Sequence, residues 1–247
     1  MLFRSTVSMT IALFVGLATI TPAMAQTAGQ GAPLGATKDA IAARVTVDAM
    51  AQIASPRGAD ALEAARLSAE RMERQARDRR SRAKQARDES RAAENAESQE
   101  LERLMRAKEI AEELEQTARL SRLERDRALR ERYRDLIRER TEAYELEMEL
   151  AEREERHARA LLELLDVERR LADDLRQWRL LHGEGAVWAD AEKRREETEK
   201  TILERLRRYF ESERDEARQR ELVAESRRTL AEKRLEFIER RRDLFED

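Results

Sequence analysis

The stretch that decides the fold is residues 129–178, which read LRERYRDLIRERTEAYELEMELAEREERHARALLELLDVERRLADDLRQW. Its apolar residues fall in two adjacent columns in which members are seven residues apart. The first column is Leu129, Leu136, Ala143, Leu150, His157, Leu164, Leu171 and Trp178, and the second is Arg130, Ile137, Tyr144, Ala151, Ala158, Leu165, Ala172 and Arg179. This spacing places one continuous stripe along a straight α-helix. Such a helix needs a partner helix of matching length.

The sequence supplies that partner after the next turn. Residues 182–189 read HGEGAVWA, and their two glycines can end a helix in left-handed geometry. The following segment repeats the two columns with Ile202, Tyr209, Glu216, Val223, Leu230, Phe237 and Leu244, and beside them Leu203, Phe210, Ala217, Ala224, Ala231, Ile238 and Phe245. Because both helices rise equally, position i on one arm faces roughly position 370 − i on the other. The sequence therefore predicts an antiparallel hairpin over 129–247 with its turn at 182–189.

Composition supports a long-helix architecture. Charged residues make up 42% of the chain and aromatic residues 4%, with seven Gly and three Pro. Such a composition with heptad periodicity is typical of coiled coils. We expect an all-α, elongated antiparallel helical hairpin or coiled coil with one very long N-terminal helix, because neither Gly nor Pro occurs from Ala61 to about Leu181. The apolar residues shift phase between Leu101 and Leu123, which predicts a stutter, a bend or a change of partner there.

The N-terminal segment has the pattern of a secretory signal. Arg4 is followed by an apolar run over 9–20 and by the small-x-small site Ala23-Met24-Ala25. We therefore expect residues 1–25 to direct export to the periplasm of a bacterium. No further apolar segment follows, so we expect no transmembrane segment once the signal is cleaved.

Two further segments connect the signal to the hairpin. Residues 26–58 read as a flexible linker with a short helix over 39–54, and residues 59–128 as a polar helix rich in Ala, Arg and Glu. Alanine buries little surface, so residues 59–128 either associate weakly or pack very closely. The sequence leaves open whether they are free, dimerised or folded back.

The residue types and their spacing favour a protein that is not an enzyme. The chain has no Cys, so thiol catalysis and thiolate metal sites are excluded. Glu154 and His157 form half of a di-iron carboxylate motif, but a second copy is missing, and His157 is better explained as a seam residue. His182 lacks the partners of a catalytic histidine. We expect no catalytic residues, no metal and no cofactor.

Two surface features are candidates for partner binding. The first is the hairpin tip, formed by Trp178, Leu181, His182, Val187 and Trp188. These residues either close the end of the hairpin core or form an aromatic hot spot for a partner.

The second feature is a basic run over residues 71–91. Its nine basic side chains outnumber four acidic ones and are Arg71, Arg74, Arg77, Arg79, Arg80, Arg82, Lys84, Arg87 and Arg91. Three interpretations of the run are open. It is a solvated helix face, or it contacts anionic lipid, peptidoglycan or nucleic acid. In the third interpretation it pairs with the acidic run over 139–155 in a neighbouring molecule. Without interleaved aromatic residues and with a net charge of -3, nucleic acid is not expected.

The function that fits these features is a non-catalytic exported scaffold or adaptor of the bacterial cell envelope that binds envelope proteins. The layout is similar to the coiled-coil part of periplasmic murein-hydrolase activators, although no sequence like the hydrolase-like domain of that family occurs in these 247 residues. The resemblance, in composition and layout, implies regulation of a cell-wall enzyme or membrane complex. Alternatives are a periplasmic holdase chaperone and a structural component of a secretion or filament apparatus. Homo-oligomerisation is compatible with each.

Overall fold

The protein consists of four α-helices in a computed structural model that describes residues 38–182 and 185–246. The helices are α1 (Lys38–Ala54), α2 (Ala59–Glu113), α3 (Thr117–Leu180) and α4 (Ala186–Glu246). Within the described residues there is no β-strand, which confirms the all-α class. The predicted signal at 1–25 and the linker over 26–37 lie outside the described residues. No helix of the described part has a stretch long and apolar enough to cross a membrane.

Helices α3 and α4 form the predicted antiparallel hairpin. The hydroxyl of Thr198 donates to Asp174 at 2.7 Å, His157 Nδ1 lies 3.1 Å from Ser212 Oγ, and the rings of Tyr133 and Phe237 are 5.5 Å apart. These pairs have residue numbers that sum to within two of 370, so the predicted register is confirmed. Gly185 has a φ of 61°, in the left-handed region that glycine favours. Helix α4 begins at Ala186, so the turn is shorter than the predicted 182–189.

The predicted single helix from Ala61 to Leu181 is wrong, because the chain reverses direction at residues 114–116. Helix α2 ends at Glu113, Glu115 has a φ of 53°, and the N–H of Gln116 donates to the carbonyl of Ala111 at 2.9 Å. One left-handed residue other than glycine costs about 1–2 kcal/mol. The reversal lets the 55-residue helix α2 pack along α3. The free energy gained from this packing offsets the cost of the turn, and no local sequence pattern indicates it. The reversal lies between Leu101 and Leu123, where the apolar residues shift phase in the sequence.

Alanine residues form the seam between α2 and α3. Ala69 and Ala76 are fully buried, and Ala83 is nearly so. At the next heptad Ser90 is also fully buried, with its Oγ 3.2 Å from the carbonyl of Ile137 and 2.9 Å from Thr141 Oγ1. Small side chains every seven residues let the two helices approach closely. Residues 59–113 are therefore folded back and closely packed.

The two adjacent columns of α3 serve two different partners. Leu164 and Leu171 pack in a cluster with Ile202 and Leu206 of α4, whereas Leu165 packs with Leu62 of α2. The prediction of one stripe for one partner was therefore incomplete. Helix α3 is the central helix, with α2 and α4 on its flanks.

Helix α4 differs from the prediction in its second column. Ile202 and Val223 of the first column are buried, but Leu203 and Ile238 of the second column are 40% and 52% exposed. Among the described side chains, the second column is buried where α1 covers it. There Val45 and Ala49 of α1 pack in one cluster with Phe210 and Leu206, and the guanidinium of Arg44 lies 4.3 Å from the centroid of the Phe210 ring. Helix α1 corresponds to the short helix predicted over 39–54.

Candidate functional site

The end of the α3–α4 hairpin projects beyond the other two helices. The backbone N–H and the guanidinium of Arg57, just before α2, donate to the carboxylate of the fully buried Glu168 at 2.9–3.1 Å. Arg66 lies 4.0 Å from Asp166, so α2 starts about two turns below the end of α3. The last turns of α3 and the first turns of α4, residues 174–182 and 185–196, thus form a two-helix tip.

Three aromatic rings meet at this tip. The ring centroid of Trp178 is 6.0 Å from that of His182 and 6.3 Å from that of Trp188, and the His182 and Trp188 centroids are 5.8 Å apart. The guanidinium of Arg195 stacks 4.7 Å from the centroid of the Trp178 ring. Offset aromatic and cation–π contacts of this kind rigidify the end of the hairpin. The sequence predicted the three rings, but the contribution of Arg195, seven residues after Trp188, was missed.

Apolar side chains beside the rings face solvent. Leu180 is 74% exposed and Val187 is 52% exposed, while Leu181 is half-buried. The indole Nε1 atoms of Trp178 and Trp188 are buried and have no hydrogen-bond partner among the described residues. The tip therefore combines a cluster of aromatic rings with exposed apolar side chains.

A groove of about 910 Å³ lies at the foot of the tip. One wall is the turn between α1 and α2 at 55–58, and the other is the face of α3 from Leu165 to Leu180. Leu180 belongs to both the groove and the tip, so the two form one continuous surface.

The basic run lies on α2 and faces the acidic run of α3 in the same chain. Arg77 donates to Glu155 at 3.0 Å, and Arg79 and Arg80 lie 2.8 Å and 2.6 Å from Glu154 and Glu152. Arg91 pairs with Glu145 in the same way. These ion pairs align α2 along α3, so the acidic run already has an intramolecular partner.

The other members of the run have local contacts or none. Arg71 donates to the carbonyl of Leu67 at 3.2 Å, Arg74 lies 4.0 Å from Glu70, and Arg87 lies 2.6 Å from Asp88. Arg82 forms no ion pair with another described residue, and Lys84 acts on Asp88, whose pKa is lowered by Arg87 first and also by the charge of Lys84. The predicted basic face therefore has two parts. Four of its arginines form ion pairs between α2 and α3, and most of the others contact residues of α2.

A buried polar cluster occupies the middle of the hairpin. Glu154 and Glu216 are both buried, and Arg79 and Arg220 contact Glu154 from α2 and α4. Burial raises the pKa of both carboxyl groups above the ordinary value, although the arginines oppose that shift. Among the described residues, no group of three or more His, Asp or Glu side chains is placed to hold a metal ion.

His157 lies in the same cluster and faces α4. The hydroxyl of Ser212 donates to the carbonyl of Tyr209 at 2.7 Å, so it accepts a hydrogen bond from Nδ1–H of His157. The rings of His157 and Tyr209 stack at 4.8 Å. Burial lowers the pKa of His157, and the charges facing it are Glu213, which raises the pKa, and Arg220, which lowers it.

Acidification should therefore weaken the hairpin through His157. Because its folded-state pKa is lower than its unfolded value, the unfolded state binds more protons, and stability falls as the pH drops below about 6.5. Glu154 and Glu216, with raised pKa values, act in the opposite direction at lower pH. We expect the difference in unfolding free energy between the natural protein and His157→Gln, measured by urea denaturation, to shrink from pH 7.5 to pH 5.5. A difference that does not change with pH would contradict this assignment.

Comparison with protein-family models, with curated protein sequences and with solved structures gives no match to this chain.

Proposed function

We propose that this protein is a non-catalytic, exported scaffold or adaptor of the bacterial cell envelope, which binds a partner protein with its hairpin tip. The observation that carries the proposal is the juxtaposition of the three-ring cluster with the exposed Leu180 and Val187. Aromatic residues held in a fixed arrangement are typical of binding hot spots. Packed helices hold these side chains in place before binding, which reduces the entropy lost on association.

The long helices give this binding site a defined reach. Helix α3 has 64 residues, which corresponds to roughly 95 Å at 1.5 Å per residue. Such a rod can keep a partner at the tip far from anything bound at the other end. The export part of the proposal is supported by the signal pattern of residues 1–25, and regulation of a cell-wall enzyme stays a prediction.

The test uses photo-crosslinking in intact Gram-negative cells. The full chain would carry a photoreactive phenylalanine analogue at Leu180 or Val187, and the matched control would carry it at Leu67, which is 49% exposed on α2. We expect the protein in the periplasmic fraction and a discrete crosslinked product from the two tip positions only. Trp188→Ala should reduce that product about tenfold or more, while circular dichroism shows unchanged helicity.

Three outcomes would contradict the proposal. Equal crosslinking from Leu67 would exclude a specific tip site. Unchanged crosslinking in Trp188→Ala would exclude the aromatic cluster as its centre. Recovery of the protein only from the cytoplasm would exclude export.

A further inference from the structure

A second surface, far from the tip, is found along one face of α4. Leu206, Glu213, Arg220, Arg227, Arg234 and Arg241 are each seven residues apart and therefore share this face. Leu206 and Glu213 contact α1, Glu213 through Arg44 at 3.4 Å. The next residues of the column contact α3.

Those contacts form a regular series of ion pairs that stops abruptly. Arg220 lies 3.9 Å from Glu154, and Arg227 lies 2.7 Å from Glu147, seven residues earlier in α3. The same spacing then places Arg234 opposite Arg140, where a third carboxylate would be expected. Among the side chains that the structure describes, those of residues 42–182 and 185–243, Arg234 and Arg140 have no ion-pair partner, and Arg140 donates to Ser90 Oγ at 3.4 Å. Arg241 has no ion pair with these side chains either.

The apolar column beside these arginines loses its cover at the same place. Phe210 is buried under α1 and Ala217 is half-buried, but Ala224 and Ala231 are exposed and Ile238 is 52% exposed. We call this surface the arginine groove: Ala224, Ala231, Ile238, Arg234 and Arg241 of α4, with Arg140 of α3. It continues the interface that α1 already occupies, and no described residue covers it as α1 covers Phe210.

We propose that the arginine groove is the docking site for an acidic amphipathic helix of a partner protein. The α1 interface shows that this face of α4 accepts a helix. Small residues at Ala224 and Ala231 permit close approach, as they do in the α2–α3 seam. The arginines are seven residues apart, about 10.5 Å along the helix axis, so carboxylates two turns apart on the incoming helix would meet them. Arginine pairs with carboxylate in a bidentate geometry that fixes this register.

A second copy of the chain fits this surface poorly. Two copies that paired through the same face would bring the unpaired arginines of both chains together, and like charges across an interface suppress association. The arginine side of the groove therefore favours an acidic partner.

The test measures binding of a defined probe to the full chain. The probe is a fluorescein-labelled peptide of four heptads with Ala and Leu on one face and Glu on both flanks, and the matched peptide carries Lys in place of Glu. Fluorescence anisotropy should show binding of the Glu peptide only, weakened by added salt. The double variant Arg234→Glu/Arg241→Glu should lose about tenfold or more in affinity.

The control variant makes the same charge change elsewhere on α4. Arg208 and Arg218 are exposed, form no ion pair with another described residue and lie outside the groove column. Arg208→Glu/Arg218→Glu should change affinity by less than about twofold, within the usual effect of remote surface charges. The groove variant should stay folded because Arg234→Glu supplies the missing carboxylate opposite Arg140.

The remaining outcomes would overturn the proposal. No binding of the Glu peptide, equal binding of the Lys peptide, or an equal loss in the control variant would exclude a specific acidic-helix site. Self-association that disappears in the groove variant would identify a second copy as the occupant. Binding that appears only after residues 1–37 are removed would identify the chain's own N-terminal segment. None of these readouts involves the tip, so the two proposals can fail separately.

Discussion

Replacement of Leu171 by Ala should lower the free energy of unfolding by about 2–5 kcal/mol, the largest effect we expect from a single substitution. Leu171 is fully buried, in the cluster where Ile202 and Leu206 of α4 meet Val45 of α1. Removal of the side chain leaves a cavity in a cluster where α1, α3 and α4 come together. Because packed helices collapse poorly into such a space, the lost transfer free energy of the side chain is increased by the cost of the cavity.

Chemical denaturation followed by circular dichroism would measure this effect. The matched control is Leu180→Ala, the same substitution on the same helix at a side chain that is 74% exposed. The control should change stability by no more than about 0.5 kcal/mol. Equal losses at the two positions would mean that the packing of α1 against the hairpin is not as described.

Replacement of Ala76 by Leu should destabilise the protein by about 1–3 kcal/mol, through overpacking instead of a cavity. Ala76 is fully buried in the α2–α3 seam between Ala69 and Ala83. A leucine there has no free volume, so α2 must move away from α3. That movement lengthens the ion pair between Arg77 and Glu155, which lies beside the substituted position.

Hydrogen exchange distinguishes this mechanism from a general loss of stability. The amides of α2 should exchange faster in Ala76→Leu, while those of the α3–α4 hairpin change little, because the substitution acts on one interface. Ala92→Leu is the control, since Ala92 is exposed on the same helix. Faster exchange of α2 in the control as well would point to helix propensity, and not to the alanine seam, as the cause.

The sequence alone determined the hairpin and most of its tip. Glycines at the turn, heptad columns on both arms and equal helix rise were enough to give the register that the contact between Tyr133 and Phe237 confirms. The glycines fix the position of the turn, and the heptad columns fix the faces of the two helices that meet. The tip residues come together because Trp178 lies two residues before the end of α3 and Trp188 two residues after the start of α4.

Only the tertiary structure decided where the rest of the chain lies. The reversal at 114–116 has no Gly or Pro to mark it, because its driving force is the burial of α2 against α3 and not a local preference for a turn. That reversal brings the basic and acidic runs together within one chain. It also divides the two columns of α3 between two partner helices.

The exposed second column of α4 has the same origin. A heptad pattern indicates which residues share a helix face, but it does not indicate whether a partner helix covers that face. Phe210 and Ile238 belong to one column, yet α1 packs against the first, and the second is 52% exposed. The arginine groove could therefore be recognised only from the lengths and positions of all four helices, which depend on long-range packing.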